Sequence, residues 1–262
     1  MSELCLAYEG SAAAWAGGPA RLYERLAERI VAPLAAELNG ALVIDVGAGT
    51  GAVCRALRAG GARPVALDAS ADMLAHGGGA AVISVIGDML ALPFLDCTFD
   101  AAVSAFAISH VDMPQRALAE MGRVVRRDGR VVVAVFGASP ANPSKDVVDD
   151  VASRFGYRRP AWYAALKTRS ETLSNTPELL RACAEASGLR AVHVDDIVVE
   201  SGLDSPGEIV EYRIGMAHLA PFMGSLSAER RAELVRQAIS EVRERGQAVR
   251  PRVLILSSRT SA

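Results

Sequence analysis

Lysine is nearly missing from this chain: Lys145 and Lys167 are the only two, and every other basic residue is arginine. With alanine and glycine abundant, that usage fits a chain encoded by a GC-rich bacterial genome. Cysteine is sparse as well. Cys5, Cys54, Cys97 and Cys183 stand far apart, with no C-x-x-C pair and no histidine at ligand spacing, so neither a disulfide framework nor a zinc site is expected. Long apolar runs are absent, a stretch such as Ala101 to Ile108 falling well short of the roughly 18–20 residues a membrane span needs. Charge of one sign is absent too: 28 Lys+Arg face 30 Asp+Glu, for a formal net charge of -2 with no block of like charge. A dedicated nucleic-acid binder would need a concentrated basic face. The first residues, MSELCLAYEG, carry acids at Glu3 and Glu9 and no apolar core, unlike a secretory leader. These absences predict a cytoplasmic protein with no metal, no nucleic-acid partner and no membrane partner, acting as a monomer or homodimer.

What is present is apolar. Hydrophobic residues make up 51% of the 262, which separates the chain from disordered sequences and allows a sizeable core. Residues 1–18 are small and Gly/Ala-rich, with Tyr8 and Trp15 as the only large side chains, and read as a flap with a poor core. From Pro19 to Leu38, Leu22, Leu26, Ile30, Val31 and Leu34 recur at helical spacing, and Pro33 must kink or restart the helix.

The fold class follows from an alternation. Short β-branched runs at 41–46, 64–68, 81–88, 99–109 and 129–136 are separated by segments long enough for one helix each, which implies a parallel sheet with right-handed crossovers. Two more strand-like runs, 189–199 and 250–258, flank a helical stretch that Ser227 would cap and Gly246 would stop. Between the fifth and sixth strands, Phe155, Tyr157, Trp162 and Tyr163 mark an aromatic insertion of the kind that sits beyond the carboxyl ends of strands, where ligands bind. The organisation predicted is an N-terminal flap and helix over 1–40, a cofactor-binding core over 41–137, a lid insertion over 138–188, and strands and helices completing the sheet and substrate site over 189–262.

The strongest local signal is VIDVGAGTGAVCRAL, a strand running into Gly47-Ala48-Gly49-Thr50-Gly51 and then into a helix. Glycines permit positive φ and let a ligand approach the backbone, which a tight turn over a cofactor requires. Gly47, Gly49 and Ala52 also satisfy G-x-G-x-x-A, with Asp68 at the distance of a ribose-binding acid, so a nicotinamide enzyme is one reading. Asp45, two residues before the first glycine, favours another, because a dinucleotide gains little from a carboxylate there and a positively charged amino-acid moiety would. With Gly87-Asp88 at the third strand's end and MGRVVRRDGR before the fifth, residues ~41–136 resemble the class I S-adenosylmethionine-dependent methyltransferases, small-molecule branch, similar to the ubiquinone/menaquinone-biosynthesis enzymes.

That resemblance implies a seven-stranded, doubly wound Rossmann-like α/β sheet with a helical lid and an antiparallel last strand. It implies methyl transfer from S-adenosylmethionine to a small-molecule acceptor, by O- or N-methylation; the GC-rich bacterial usage and the apolar, aromatic-bearing lid suggest a product of bacterial secondary metabolism or a quinone-like acceptor, and a peptide acceptor stays open. Residue by residue, Asp45 with the turn Gly47, Ala48, Gly49 and Gly51 would meet the cofactor's amino-acid portion. Asp68 and Ala69 would meet the ribose hydroxyls, Asp88 and Met89 the adenine edge, and Met73 its ring. Ser104 and Ala105 would line the methionine chain. RRDGR stands where the family has Pro-Gly-Gly and reads as a structural turn. Asp68 and Asp88 could instead cap the helices that follow.

Methyl transfer needs an aligned nucleophile, excluded water and, for a hydroxyl, a base. His110, in AFAISHVDMP after the fourth strand, is the first candidate base, with Asp112 to orient it; His218, in GMAHLAPF, is the second. His76 and His193 read as structural. Two other classes remain open: a cofactor-scaffolded cyclase or rearrangement catalyst, and a nicotinamide-dependent oxidoreductase, for which Tyr163 and Lys167 supply the Tyr-x-x-x-Lys spacing.

Overall fold

A computed structural model describes residues 7–77, 82–139 and 142–261. Part of the expected flap, Cys5, the first residue of the expected third strand and two positions of the insertion lie outside the described residues. The chain begins with α1 (Ala12–Gly17) and α2 (Ala20–Val31), and then runs through β1 (Leu42–Val46), α3 (Ala52–Ala59), β2 (Arg63–Asp68), α4 (Ala71–Gly77), β3 (Ile83–Ile86), β4 (Phe99–Ala105), α5 (Pro114–Val124) and β5 (Val125–Phe136); the helix expected between the third and fourth strands is absent, residues 87–98 forming turns instead. The second half holds α6 (Pro143–Arg154), α7 (Ala161–Ala165), α8 (Pro177–Ala186), β6 (Arg190–Val198), α9 (Pro206–Ile214), α10 (Ala220–Ser225), α11 (Ala228–Arg245) and β7 (Arg252–Arg259).

The described strands form one seven-stranded sheet in the order β3-β2-β1-β4-β5-β7-β6. β1 pairs in parallel with β2 and β4, while β7 enters antiparallel between β5 and β6. Side chains alternate between two cores with the two-residue period of a strand. Val43, Ala101, Val103, Val132, Ala134, Val253 and Ile255 face α2, α6 and α11, and Ile44, Ala102, Val131, Val133, Leu254 and Leu256 face α5 and α8. Burial on both faces is why these strands read as nearly continuous apolar runs. The strand order reverses between β1 and β4, so a crevice opens there beyond the carboxyl ends of the strands.

Caps fix several helix starts. Ser227 Oγ accepts from the Arg230 amide, and Ser205 and Glu208 form a reciprocal capping box on α9. Pro33 acts as expected: the α-helix ends at Val31 and continues as a 3-10 turn over Ala32–Glu37.

Three expectations are corrected. β4 ends at Ala105, not Ser109, because Phe106 takes φ +60 and its amide turns to the Ala134 carbonyl at 2.7 Å; Ile108–His110 then forms a 3-10 turn. RRDGR is no turn ahead of the strand but a bulge within β5, the register passing from Phe99↔Val125 to Ala101↔Arg130. Residues 7–18 do not lack a core either. Ala12 and Trp15 are buried in a small cluster with Ala20 and Met73, against Tyr8 and Tyr23, and the Ala12 amide donates to Asp72 Oδ2 at 3.1 Å.

One buried ion pair ties the insertion to the helices that follow β6. Asp149 on α6 accepts two bonds of 2.7 Å from Arg213 on α9, with both side chains under a tenth exposed. Arg213 Nη1 also donates to the Tyr163 hydroxyl on α7 at 3.3 Å. Removing one partner leaves the other charge buried, which costs more than the pair contributes. Asp149→Ala should therefore lower unfolding free energy by about 3–5 kcal/mol, read from urea denaturation. A loss below ~1 kcal/mol would show that the pair carries little of the insertion's order.

Candidate active site

The β1 turn is shaped by three left-handed glycines. Gly47, Gly49 and Gly51 have φ of +77, +53 and +79. At Gly47 the space is also gone, since a Cβ there would lie 2.2 Å from the Ala107 Cβ. The amides of Gly47 and Ala48 donate to the Leu67 carbonyl at 2.7 and 3.0 Å, anchoring the turn to β2. The Gly49 amide donates to Asp68 Oδ2 at 2.8 Å, while Asp68 Oδ1 takes the Ser70 amide at 2.9 Å. Burial raises the Asp68 pKa from its usual value, and these amide bonds pull it back down.

These elements enclose one large cleft at the β1/β4 switch point, about 1120 Å³ counting its open mouth. Asp45, Gly47, Ala48, Gly49, Asp68, Ala69, Met73, Asp88, Met89, Ala105 and His110 all line it. Ten of the twelve expected cofactor positions thus meet in one place. Gly51 and Ser104 do not. Gly51 turns toward α4, where a Cβ would sit 2.9 Å from the Gly77 carbonyl. Ser104 is fully buried inside the sheet, its hydroxyl donating to the Val46 carbonyl at 2.8 Å. Asp88 is exposed at the cleft rim, and its Oδ1 accepts from the Leu90 amide at 2.8 Å in an Asx turn; no helix follows it, so it is not the helix cap the sequence also allowed.

Asp45 is almost wholly buried. Its Oδ2 accepts from the Cys54 thiol at 3.2 Å, and its Oδ1 has no partner among the described residues. Burial pushes its pKa up to about 7, partly offset by the Cys54 bond, and Asp68 raises it further. A carboxyl with one satisfied and one unsatisfied oxygen, beside a turn whose backbone a ligand can approach, fits the ammonium of an amino-acid moiety.

The opposite wall is aromatic and was not legible as a site in the sequence. Tyr8, Trp15, Tyr23 and Phe106 line the cleft from the N-terminal segment and the β4 turn. Tyr23 stands 4.8 Å from Trp15 and edge-on to Phe106 at 5.2 Å; Tyr8 lies 5.6 Å from the His110 ring. The nearest signal was the pair of large residues, Tyr8 and Trp15, in an otherwise small-residue segment.

The two candidate bases part company. His110 lines the cleft, and burial, with Lys167 second, pushes its pKa down to about 4, so it is a neutral proton acceptor at ordinary pH. Asp112 does not orient it, because that carboxylate is engaged by Ser170 at 2.8 Å and Arg169 at 3.1 Å. His218 is outside the cleft lining. Its ring stacks on Tyr163 at 3.8 Å, and burial, then Arg213, pushes its pKa down to about 2. Tyr163 and Lys167 are likewise not a cleft pair: the hydroxyl accepts from Arg213 and the ammonium binds Glu171 at 2.6 Å. No group of three or more metal-ligating side chains occurs among the described residues, and no described helix is long and apolar enough to cross a membrane.

The fold is the Rossmann-like fold of class I methyltransferases, and residues 44–133 match the family model described as "Methyltransferase domain". Among curated relatives, the demethylmenaquinone methyltransferase of Thermobifida fusca (strain YX) is 43% identical over 112 residues, covering 40% of this chain and 48% of that protein. The chain spans about half the length of the first curated relatives it matches. Among solved structures, Haemonchus contortus phosphoethanolamine N-methyltransferase 2 in complex with S-adenosyl-L-methionine aligns with TM-score 0.57 at 17% identity, over 91% of this chain and 53% of that one. The [4+2]-cyclase SpnF aligns with TM-score 0.56 at 19% identity, over 91% and 81%. At such identities the structural likeness speaks for the fold.

The depressed pKa of His110 is directly observable. A group whose folded pKa is lowered stays neutral until pH falls through that lower value. In a nitrogen-15 imidazole titration, His110 should keep neutral-ring shifts from pH 8 down to about pH 5. A midpoint near the ordinary histidine value would show that the ring is solvated.

Proposed function

We propose that this protein transfers a methyl group from S-adenosylmethionine to a small-molecule acceptor bound against the aromatic wall. The observation that carries the reading is the Asp45 carboxyl, buried beside the glycine turn with Oδ1 unpartnered, in a chain whose residues 44–133 match a methyltransferase domain. Homology to demethylmenaquinone methyltransferases supports a small, ring-shaped acceptor.

When bound, S-adenosylmethionine supplies an electrophilic methyl on a sulfonium. The rest is the work of this chain. Asp45 holds the ammonium, and the Gly47–Gly49 turn, its amides held by Leu67 and Asp68, lets the amino-acid chain approach closely. Asp68 has lone pairs left after accepting the Gly49 and Ser70 amides, enough for ribose hydroxyls. Met73 and Met89 offer apolar contact for a base ring, with Ala69 beside the ribose and Ala105 along the chain. Tyr8, Trp15 and Tyr23 exclude water and align the acceptor by packing. His110, neutral at working pH, accepts the proton of a hydroxyl acceptor. The protein would act as a monomer or homodimer.

Incubation with methyl-labelled S-adenosylmethionine and mass spectrometry of the products tests the reading. Labelled product with stoichiometric S-adenosylhomocysteine is expected. Converted acceptor without label would move the protein to the scaffolded cyclases, and tight NAD binding would move it to the oxidoreductases. Asp68→Ala should weaken S-adenosylhomocysteine binding by about 1.5–3 kcal/mol, the usual worth of hydrogen bonds to a charged group. With an alkyl hydroxyl acceptor, His110→Ala should slow turnover by at least ~10²-fold at unchanged cofactor affinity. Full activity of that variant would remove His110 from proton transfer.

A further inference from the structure

The two oxygens of Asp45 are in different situations. The residue is almost wholly buried and lines the cleft, yet only Oδ2 has a partner, the Cys54 thiol at 3.2 Å, while Oδ1 has none among the described residues. Cys54 stands in the first turn of α3, directly after the glycine turn. It is buried in a small cluster with Ala48, Ala66 and Leu74, none of whose side chains can donate a hydrogen bond. The thiol is therefore the one side-chain donor to this carboxyl among the described residues. Cys54 does not itself line the cleft, so whatever it contributes there passes through Asp45.

The sulfur keeps its proton. Burial, then the Asp45 carboxyl beside it, pushes the Cys54 pKa up, with Arg55 and Arg58 of α3 acting the other way. Arg55 is itself engaged by the Thr50 carbonyl at 2.8 Å and by Glu24 at 2.7 Å. Few other groups act on Asp45. Its register partners are Ala66 on β2 and Val103 on β4, both apolar, and Asp68 at the end of β2 opposes its ionisation. The Cys54 thiol favours the ionised form, with the Cys54 backbone amide adding weakly. Without the thiol both carboxyl oxygens would stand unpartnered in an apolar place, and such a group takes up a proton or turns away. A protonated or turned carboxyl cannot receive an ammonium on Oδ1.

We propose that Cys54 is a positioning residue for cofactor binding: its thiol hydrogen bond fixes Asp45 Oδ2 and reserves Oδ1 for the ligand's ammonium. This rests on the methyl-transfer reading of the cleft and adds to it a residue that touches no ligand. No bond is made or broken at sulfur. The thiol acts by holding the carboxylate ionised and oriented, so it sets how far pH can fall before the cofactor is lost.

Three substitutions separate the hydrogen bond from packing: Cys54→Ala removes the donor, Cys54→Val removes it while filling the space, and Cys54→Ser keeps a donor. Carbon-13 carboxyl shifts of the ligand-free protein should place the Asp45 midpoint near pH 7 in the wild type. Cys54→Ala and Cys54→Val should raise it by about half a pH unit to one, and Cys54→Ser should leave it near the wild-type value. A higher midpoint leaves less carboxylate at low pH and changes little once both proteins are ionised. In calorimetric titrations with S-adenosylhomocysteine, Cys54→Ala and Cys54→Val should therefore bind about fivefold more weakly than the wild type at pH 6, and within about twofold of it at pH 9. Cys54→Ser should follow the wild type at both. An Asp45 midpoint unmoved in Cys54→Ala and Cys54→Val, a loss of affinity equal at both pH values, or rescue by valine and not by serine would each overturn the positioning role. Failure of the wild type to bind S-adenosylhomocysteine would overturn the methyl-transfer reading and the role with it, whereas those variant results in a protein that binds it would overturn the role alone.

Discussion

A carboxyl group buried in the middle of a sheet constrains everything around it. Asp45 occupies β1, whose other residues are apolar and packed on both faces, and only the Cys54 thiol answers one of its oxygens. A protein core tolerates such a group when a partner arrives for the rest of it, or when the group takes up a proton. The turn that follows has the conformation this demands. Gly47 must be glycine twice over, for its φ of +77 and for the Ala107 methyl 2.2 Å from where a Cβ would stand. Ala107 is there because Phe106 ends β4 with a left-handed kink. Strand, turn, kink and cleft are therefore one arrangement.

Where sequence and structure agree, local chemistry decides the outcome. The strand–helix alternation outside β3–β4 and the glycine turn have short-range signatures, the antiparallel last strand follows from the family resemblance, and ten positions expected to meet a cofactor line the cleft near strand ends. What was not legible depends on distant partners. No local pattern says that Phe106 bends or that β5 absorbs RRDGR as a bulge, because both follow from pairing with other strands. Ser104 looked like a lining residue by position, yet its hydroxyl spends itself on the Val46 carbonyl across the sheet. His218 was a second candidate base from its place in the lid stretch GMAHLAPF, yet it is buried and stacked on Tyr163 outside the cleft lining.

The second half of the chain shapes the site through packing. The Asp149–Arg213 pair joins α6 to α9 and steadies Tyr163 on α7, while Tyr8 approaches Trp162 at 6.4 Å and His110 at 5.6 Å. The N-terminal segment and the insertion thus meet over the cleft from opposite sides. Their aromatic surfaces give that side of the cleft an apolar character. The cleft at the strand ends is in this way closed by an aromatic cover.

The account turns on Asp45 meeting a cation. A carboxyl whose pKa is raised to about 7 in the free protein must lose its proton to pair with an ammonium, so binding favours the ionised form and weakens as pH falls through that value. Calorimetric titration of S-adenosylhomocysteine at pH 6 and pH 8, in buffers of different ionisation enthalpy, measures this directly. The account predicts about tenfold tighter binding at pH 8 and release of close to one proton on binding at pH 6. Affinity that does not change over this range, with no proton exchanged, would contradict the placement of the cofactor's ammonium on Asp45.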